Sequence, residues 1–316
     1  MMRTQGVPGM AGRKRVLIIG CGYVGLELGR RLASQGHTVF GLRRTAEGAG
    51  VMTEAGIHPL VADITRPETL APLPAPFDWV VHCVSSSRQG AETYRAVYLE
   101  GMRHVLDWLA AQSHPPEAFA YTSSTSVYGQ TSGDWVDEDS PTQPGTETGE
   151  TLVATEGLVL EAARSGRVPG RILRVAGIYG PGRGHLFHQF LAGEARIQGD
   201  GSRWINMIHR DDVASALEAA LERGAAGEVY NAVDDEPVSQ RDFLAWLAER
   251  LGRPMPPAAS WDEAVRRKRG LTHKRVRNRK LRAVTGWAPA YPTYREGYAG
   301  AVAEVLAAGA QPVAAS

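Results

Sequence analysis

The chain has little cysteine, no long hydrophobic run and almost no net charge. Cys21 and Cys83 are its only cysteines, and two thiols in apolar, strand-like surroundings cannot build a disulfide framework or a zinc site by themselves. No run of about 18 apolar residues occurs, so no membrane span is predicted. With 35 Lys plus Arg against 34 Asp plus Glu, the net charge is +1, which predicts no polyanion-binding role. These absences favour a cytoplasmic protein that binds neither membrane nor nucleic acid.

The N-terminal residues 1–13 predict a short disordered tail. They are rich in glycine and lead into a basic tripeptide at 13–15, without the hydrophobic segment and cleavage site of a signal peptide. Internal repeats of about 20–50 residues are also missing. A length of 316 residues exceeds the usual size of a single core, which predicts one large domain with a smaller lobe.

Short β-branched runs alternate with amphipathic helical stretches over the first half of the chain. We predict strands at 16–19, 38–42, 59–62, 79–84, 118–122, 171–175 and 229–233, and helices at 23–35, 95–111, 147–164 and 212–222. Continuously apolar short strands separated by helices are typical of a parallel sheet covered on both faces. The pattern therefore predicts an α/β fold with a doubly wound, Rossmann-type sheet.

The regularity changes after residue 176. A Gly- and Pro-rich stretch covers 178–184, the segment at 204–208 introduces the helix at 212–222, and a Pro-rich linker lies near 254–257. We predict a dinucleotide-binding Rossmann domain from residues 14–176 plus 208–234. Residues 177–207 plus 235–310 are predicted to form a small, mainly helical substrate-binding lobe over the carboxyl edge of the sheet, where open α/β sheets bind ligands.

A glycine-rich turn follows the first predicted strand directly and opens the first helix. Gly20, Gly22 and Gly25 form the pattern G-x-G-x-x-G. In this pattern the first glycine allows a tight turn, the second lets the backbone approach a pyrophosphate, and the third allows close packing of helix on strand. The helix N-terminus then offers free N–H groups to the phosphates. The strand and helix around the glycines make a dinucleotide site the favoured interpretation over an ordinary turn.

Two arginines end the second predicted strand, where NAD sites normally carry an acid. Arg43 follows Gly25 by eighteen residues, and Arg44 stands beside it. A carboxylate at this place would bind both ribose hydroxyls of NAD, whereas a guanidinium suits the 2′-phosphate of NADP and can stack on adenine. We therefore expect NADP(H) to bind in preference to NAD(H). The alternative is a pair of solvated surface arginines.

Several segments over about residues 15–300 resemble the extended short-chain dehydrogenase/reductase superfamily, which includes sugar-nucleotide epimerases and dehydratases. The matching segments are Asp63-Ile64, Ser123-Ser-Thr-Ser-Val-Tyr-Gly129, Leu173-Arg174, Ile178-Tyr-Gly-Pro-Gly182, Ile208-His-Arg-Asp-Asp-Val-Ala214 and Val229-Tyr-Asn231. The resemblance implies that Asp63 and Ile64 contact adenine. It also places Tyr23, Val24, Ser85 and Ser123 among the residues that contact the cofactor.

The chain departs from this superfamily at the proton-transfer residues. Members use a Tyr and, four residues later, a Lys that lowers the pKa of the Tyr, while an upstream Ser hydrogen-bonds the reacting oxygen. Aligning the family pattern on Glu156 places Thr148 at the Tyr position and Leu152 at the Lys position. Ser124 stands at the place of the Ser, with Thr125 as the alternative one residue on. The resemblance is therefore to an atypical branch of the superfamily, many of whose members lack the usual active-site residues.

Other side chains are candidates for the missing acid. They are Tyr128, Glu147, Glu150, Tyr179 and His209. Each has a structural alternative: the glutamates suit a helix start, the tyrosines belong to shared segments, and the acids at 211–212 after His209 are well placed to cap a helix. Ser124 has a structural alternative as well: its hydroxyl would then make only turn hydrogen bonds or contact the cofactor ribose.

Two further groups bear on ligands. His185 and His188 are candidates for substrate binding, but they lack a third neighbouring ligand, so no metal site is predicted. Ten basic residues lie between 266 and 282, and they fit an anionic group such as the diphosphate of a nucleotide-linked sugar. These residues are Arg266, Arg267, Lys268, Arg269, Lys274, Arg275, Arg277, Arg279, Lys280 and Arg282. The alternative is a solvated helix face and loop.

Two functions remain open from the sequence. One is an NADP(H)-dependent oxidoreductase or epimerase that acts on a carbonyl or hydroxyl group of a small-molecule substrate, with Ser124 orienting the oxygen. The other is a catalytically silent NADP(H)-binding protein that senses the cofactor or regulates a partner. The intact Ser motif and the full second lobe favour the first. The resemblance also implies a homodimer formed through the helices at 95–111 and 147–164.

Overall fold

The computed structural model of the protein describes residues 12–85, 90–259 and 272–309. Parallel strands form its central sheet: β1 (Arg15–Ile19), β2 (Thr38–Arg43), β3 (Ile57–Val61), β4 (Trp79–His82), β5 (Ala118–Ser124), β7 (Gly170–Val175) and β11 (Val229–Ala232). Their order across the sheet is β3-β2-β1-β4-β5-β7-β11. The predicted doubly wound α/β fold is confirmed.

Shorter strands lie outside this sheet: β6 (Trp135–Val136), β8 (Gly177–Tyr179), β9 (Trp204–Ile205), β10 (Met207–His209), β12 (Val238–Ser239) and β13 (Arg275–Val276). The helices are α1 (Tyr23–Ser34), α2 (Ala49–Glu54), α3 (Ala91–Arg95), α4 (Gly101–Ala110), α5 (Glu147–Arg164), α6 (His185–Leu191), α7 (Arg210–Arg223), α8 (Gln240–Leu251), α9 (Arg279–Thr285) and α10 (Tyr294–Gly309). No helix in the described ranges is both long enough and apolar enough to cross a membrane.

The start of α5 follows from its local sequence. The hydroxyl of Thr146 accepts a hydrogen bond from the N–H of Gly149 at 3.2 Å and so caps the helix. Glu147 and Glu150 occupy its first turn, where carboxylates complement the helix dipole. The predicted boundaries of this helix, 147–164, are confirmed.

The hydrophobic core has three parts. One lies on each face of the sheet, and a third gathers residues of the later segments, including Tyr179, Phe190, Phe243 and Tyr298. All fully buried members of the third part come from 177–207 and 235–310, the ranges predicted for the second lobe. Trp287, however, packs with the first part. The division into two lobes stays a prediction, as does the tail, of which residues 1–11 lie outside the described ranges.

One detail of the prediction is wrong. The helix predicted at 95–111 begins earlier, as α3, and passes through a turn of π-helix at Ala96–Glu100 before α4. The segment before α7 forms two short strands, and Asn206 between them turns its side chain to β13: its amide donates to the carbonyl of Lys274 at 2.9 Å and accepts from the N–H of Val276 at 2.8 Å. β9 then pairs with β12, and β10 pairs with β8.

Candidate functional site: the glycine-rich turn and its cavity

The glycine-rich turn joins β1 to α1 and touches the end of β4. Gly20 has a φ of +88°, and a Cβ there would lie 2.7 Å from the backbone of Val84. A Cβ on Gly25 would lie 2.7 Å from the carbonyl oxygen of Gly20. Both positions therefore need glycine for the fold itself, because a side chain would collide with backbone.

Gly22 is different, since no neighbouring atom excludes a side chain there. Its φ of −103° is negative, and a Cβ there would meet no protein atom within 4 Å. Gly22 precedes α1, whose N-terminus receives no side-chain cap and has no acid in its first turn. Open space beside uncapped N–H groups is what an approaching phosphate needs, so this position fits a dinucleotide.

A cavity of about 210 Å³ opens beside this turn. Its lining includes Gly20, Gly22, Arg43, Arg44, Asp63, Ile64 and Ser85, all predicted to bind the cofactor. The carboxyl ends of β1, β2 and β4 and the loop after β3 bring them together. Tyr23, Val24, Gly25 and Ser123, also predicted to bind the cofactor, are not among the lining residues.

The two arginines stand at one side of the cavity. Arg43 is half-buried and packs against the turn at Gly48, whereas Arg44 is exposed. Within the described part of the chain, neither guanidinium forms an ion pair with a carboxylate. Leu42 and Ala62 also line the cavity. Asp63 is the acidic residue among the lining residues. Two guanidinium groups without partners leave this side of the cavity positively charged.

Asp63 and Ile64 line the cavity from the loop after β3, which begins beside Arg43. The Asp63 carboxylate accepts hydrogen bonds from the N–H and the hydroxyl of Thr65, at 3.0 and 2.7 Å. Ile64 is buried, and a Cβ on Gly101 of α4 would lie 2.8 Å from its side chain. These contacts hold the loop in place at the cavity.

Candidate functional site: the end of β5 and helix α5

Ser123 belongs to a buried polar network. Its hydroxyl donates to Glu156 at 2.6 Å, and Glu156 forms an ion pair with Arg174 at 2.8 Å. Arg174 also donates to the phenol oxygen of Tyr128 at 2.9 Å, and Tyr128 donates to the side-chain oxygen of Asn231 at 2.9 Å. The network ties β5, α5, β7 and β11 together. The sequence contained one signal for it: an arginine inside a buried strand needs a buried acid.

Ser124 has a turn role in the structure. Its hydroxyl oxygen accepts a hydrogen bond from the N–H of Ser126 at 3.2 Å and caps the short 3₁₀ turn Thr125–Val127. The hydroxyl proton remains available to a second acceptor. Thr125, the alternative to Ser124, is buried.

The α5 positions that the sequence predicts to match the usual Tyr and Lys carry no replacement of the same kind. Thr148 lies in the first turn of α5, with its hydroxyl 3.3 Å from that of Thr146, and Leu152 is buried in the core. The neighbouring Glu147 and Glu150 are exposed. A hydroxyl at Thr148 is too weak an acid to replace an activated phenol.

The remaining candidates for the acid are held by the fold. Burial raises the pKa of Tyr128 to about 12 and raises that of Tyr179 further. Burial lowers the pKa of His209, whose Nδ1 accepts from the N–H of Asp211 and caps α7. The prediction that Asp211 and Asp212 cap this helix is therefore wrong: Asp212 instead accepts from two backbone amides, those of Ala290 and Tyr291.

The histidines and the basic residues predicted to bind ligands lie in different parts of the structure. His185 and His188 lie in α6, and the described residues contain no group of three or more His, Cys, Asp or Glu that could hold a metal ion. Lys280 and Arg282 form ion pairs with Glu228 and Asp235. Arg266, Arg267, Lys268 and Arg269 lie outside the described residues, and Arg279 is exposed.

A parallel doubly wound sheet with this glycine turn defines a Rossmann-type nucleotide-binding protein. The family model "NAD dependent epimerase/dehydratase family" matches residues 16–232, and the chain belongs to that family. Protein YeeZ of Escherichia coli K12 is 30% identical over 256 residues, which are 77% of this chain and 86% of that protein.

Two further relatives differ in what they are named for. A 3-diazoavenalumate denitrifying reductase from Streptomyces is 29% identical over 314 residues, 90% of this chain and 98% of that protein. The structure of DesIV, a dTDP-glucose 4,6-dehydratase from Streptomyces venezuelae with NAD and TYD bound, has a TM-score of 0.78 at 21% identity. It covers 92% of this chain and 96% of that one, and it supports the fold.

Proposed function

We propose that the protein binds NADP(H) in preference to NAD(H) and acts as an oxidoreductase or epimerase on a carbonyl or hydroxyl group. The observation that carries the cofactor choice is the pair Arg43 and Arg44 on the cavity, without a carboxylate at the end of β2 and without ion pairs in the described residues. A 2′-phosphate would supply the negative charge that both guanidinium groups lack.

When bound, the dinucleotide supplies hydride transfer to or from a carbon of the substrate. The chain's own contribution is to position that carbon and its oxygen. Ser124 lies at the carboxyl end of β5, and its free hydroxyl proton is suited to hydrogen-bond the reacting oxygen. The reductase among the relatives supports reduction, and a dTDP-glucose 4,6-dehydratase and a UDP-glucose 4-epimerase among them support a sugar nucleotide as one substrate class. The proton would come from water or from a group other than an α5 phenol.

A catalytically silent NADP(H)-binding protein is the second candidate. The observation in its favour is that a threonine, Thr148, and a buried leucine, Leu152, stand on α5 at the two positions that the sequence resemblance assigns to the proton-transfer pair. Such a protein would bind the dinucleotide with the same arginines and would show no turnover with any substrate. A cytoplasmic location and a homodimer stay predictions; light scattering during size-exclusion chromatography tests the dimer.

Calorimetric titration of the cofactor-free protein with NADPH and NADH tests the cofactor site. We expect NADPH to bind more tightly, and Arg43→Ala to weaken NADPH binding about ten- to a hundredfold while leaving NADH binding nearly unchanged. Arg164→Ala is the matched control, because Arg164 is an exposed arginine at the far end of α5 that pairs with Glu161. Equal affinities for the two cofactors would contradict the NADP(H) assignment, and binding of neither would contradict the site.

A further inference from the structure

Lys274 is a buried lysine between the second lobe and the loop after β5. Its side chain is only 4% exposed, and its ammonium donates to the carbonyl oxygen of Tyr128 at 2.8 Å. Tyr128 ends the short turn that Ser124 caps. Lys274 therefore contacts the loop that carries the Ser124 hydroxyl, at Tyr128, which follows Ser124 by four residues.

This ammonium has no counter-charge within the part of the chain that the structure describes. Among the described residues, no carboxylate lies within ion-pair distance of Lys274, and the Tyr128 carbonyl is the acceptor for one of its three N–H donors. Burial, and to a smaller extent the positive charge of Arg203, lowers the pKa of Lys274 to about 8. A buried ammonium that is bound to one neutral carbonyl is costly unless an anion joins it.

The surroundings of Lys274 add positive charge. Arg275 lies between two indole rings, with its guanidinium carbon 5.0 Å from the ring centre of Trp135 and 5.1 Å from that of Trp204. The guanidinium carbon of Arg277 also lies over Trp135, 5.2 Å from its ring centre. Neither arginine has an ion pair in the described ranges. Tryptophan faces hold cations without neutralising them, so the segment around β13 keeps its net positive charge.

We propose that Lys274 binds an oxyanion of the substrate, either a carboxylate or a phosphate, next to the part of the substrate that reaches Ser124. The positive charge of Arg203, which acts on Lys274, adds to the attraction. The inference rests on the proposed function only in taking the substrate to be a small molecule bound near Ser124. It assigns a chemical class to that molecule: it carries a negative charge close to its reacting carbon.

Selective labelling of lysine at Cε with ¹³C tests the site on the full chain. The sequence contains four lysines, so the spectrum is small, and Lys274 can be assigned by elimination from single substitutions of Lys14, Lys268 and Lys280. The probes are D-glucuronate, glucose 1-phosphate and neutral D-glucose. We expect a saturable shift of the Lys274 signal with at least one of the two anions and none with glucose, while the Lys280 signal stays constant.

The choice of anion identifies the source of the charge. A response to glucuronate alone assigns a carboxylate, a response to glucose 1-phosphate alone assigns a phosphate, and a response to both assigns a general oxyanion site. A Lys274 signal that neither anion moves at millimolar concentrations overturns the proposal. An equal response to glucose also overturns it, because the signal would then report the sugar ring.

Calorimetry with a pair of variants gives an independent measurement. We expect Lys274→Met to weaken binding of the active anion about tenfold or more, and Lys280→Met to leave it unchanged, since Lys280 is already paired with Glu228. Without ligand, Lys274→Met should unfold at a higher temperature than the wild type, because methionine fills the space without burying a charge. Unchanged anion affinity in Lys274→Met would overturn the proposal. NADPH titration of the same samples reports separately on the proposed function.

Discussion

The carboxylate of Glu156 lies 2.8 Å from the guanidinium of Arg174, and both side chains are almost fully buried. The pair joins α5 to β7 directly beneath Ser123, whose hydroxyl donates to the same carboxylate. Burial by itself lowers the pKa of Arg174, but the hydrogen bond and the charge of Glu156 outweigh that effect and raise it. The two charges thus depend on each other.

Removing one charge of this pair should destabilise the protein strongly. Glu156→Gln leaves the Arg174 guanidinium buried without a counter-charge, so we expect the free energy of unfolding to fall by about 3–5 kcal/mol. Urea denaturation followed by circular dichroism measures it. Glu161→Gln, which breaks the exposed pair with Arg164 on the same helix, should cost only about 0–1 kcal/mol. Similar losses in the two variants would contradict the role of burial.

The glycines of the turn should separate stability from binding. Gly22→Ala places a methyl group in open space, so we expect normal thermal unfolding and weakened binding of NADPH, because the methyl group blocks the approach of the pyrophosphate. Gly20→Ala, with its positive φ and backbone collision, should lose about 1–3 kcal/mol of stability. Calorimetry and thermal unfolding of both variants check this. Undiminished NADPH binding in Gly22→Ala would argue against phosphate contact at this residue.

Ser124 should matter for turnover and little for cofactor binding. If its hydroxyl hydrogen-bonds the reacting oxygen, we expect Ser124→Ala to lower kcat about a hundredfold with any accepted substrate, and to leave NADPH affinity unchanged. Single-turnover assays on a panel of carbonyl compounds measure the effect. Ser132→Ala is the control, since that serine is exposed and bonds only to the Asp134 side chain nearby. Equal turnover in both variants would remove Ser124 from the mechanism.

His82 should make stability depend on pH. Burial lowers its pKa from 6.5 to about 4, and in the described structure neither ring nitrogen has a hydrogen-bond partner. The unfolded chain therefore binds a proton that the folded protein does not bind between these two values. Stability should fall by about 3 kcal/mol from this residue as the pH drops from 6.5 to 4, and should not change from this cause above 6.5.

His82→Phe isolates this contribution, because a phenyl ring can keep the edge contact with Tyr121. The difference in unfolding free energy between wild type and His82→Phe should change steadily across that pH window. The control is His114→Gln, at an exposed histidine, and its difference from the wild type should not show this change. Subtracting the wild-type curve removes the carboxylates, including Asp234, whose pKa burial raises. A constant difference would mean that His82 is charged or solvated in the folded protein.

The sequence predicts the repeating part of the fold well, because that part depends on local patterns. The boundaries of α5 follow from Thr146 and the two glutamates of its first turn, and apolar runs locate the parallel strands. The two short strands β9 and β10 were not predicted, since the side chain of Asn206 between them bonds to the segment at β13, about 70 residues later in the chain. Long-range polar contacts of this kind leave no periodic signal.

The candidate site divides in the same way. Cavity residues such as Gly20, Arg43 and Asp63 follow strand ends at short, regular spacing, so a motif could locate them. The capping of α7 by His209 was not predicted, because Asp212 is drawn to the backbone of residues 290–291, far along the chain. The burial of Lys274 was equally hidden, since a basic stretch gives no indication of which of its members turns inward.

Tyr23, the first residue of α1, donates its phenol proton to the carbonyl of Pro181 at 3.1 Å, and the guanidinium groups of Arg183 and Arg210 lie over its ring. One side chain thus fastens the glycine-rich turn to the loop that follows β8. Under the proposed function, a dinucleotide at the turn would bind beside the residue that holds this loop. We therefore expect a compulsory order of addition: dinucleotide first and substrate second, with departure in the reverse sequence.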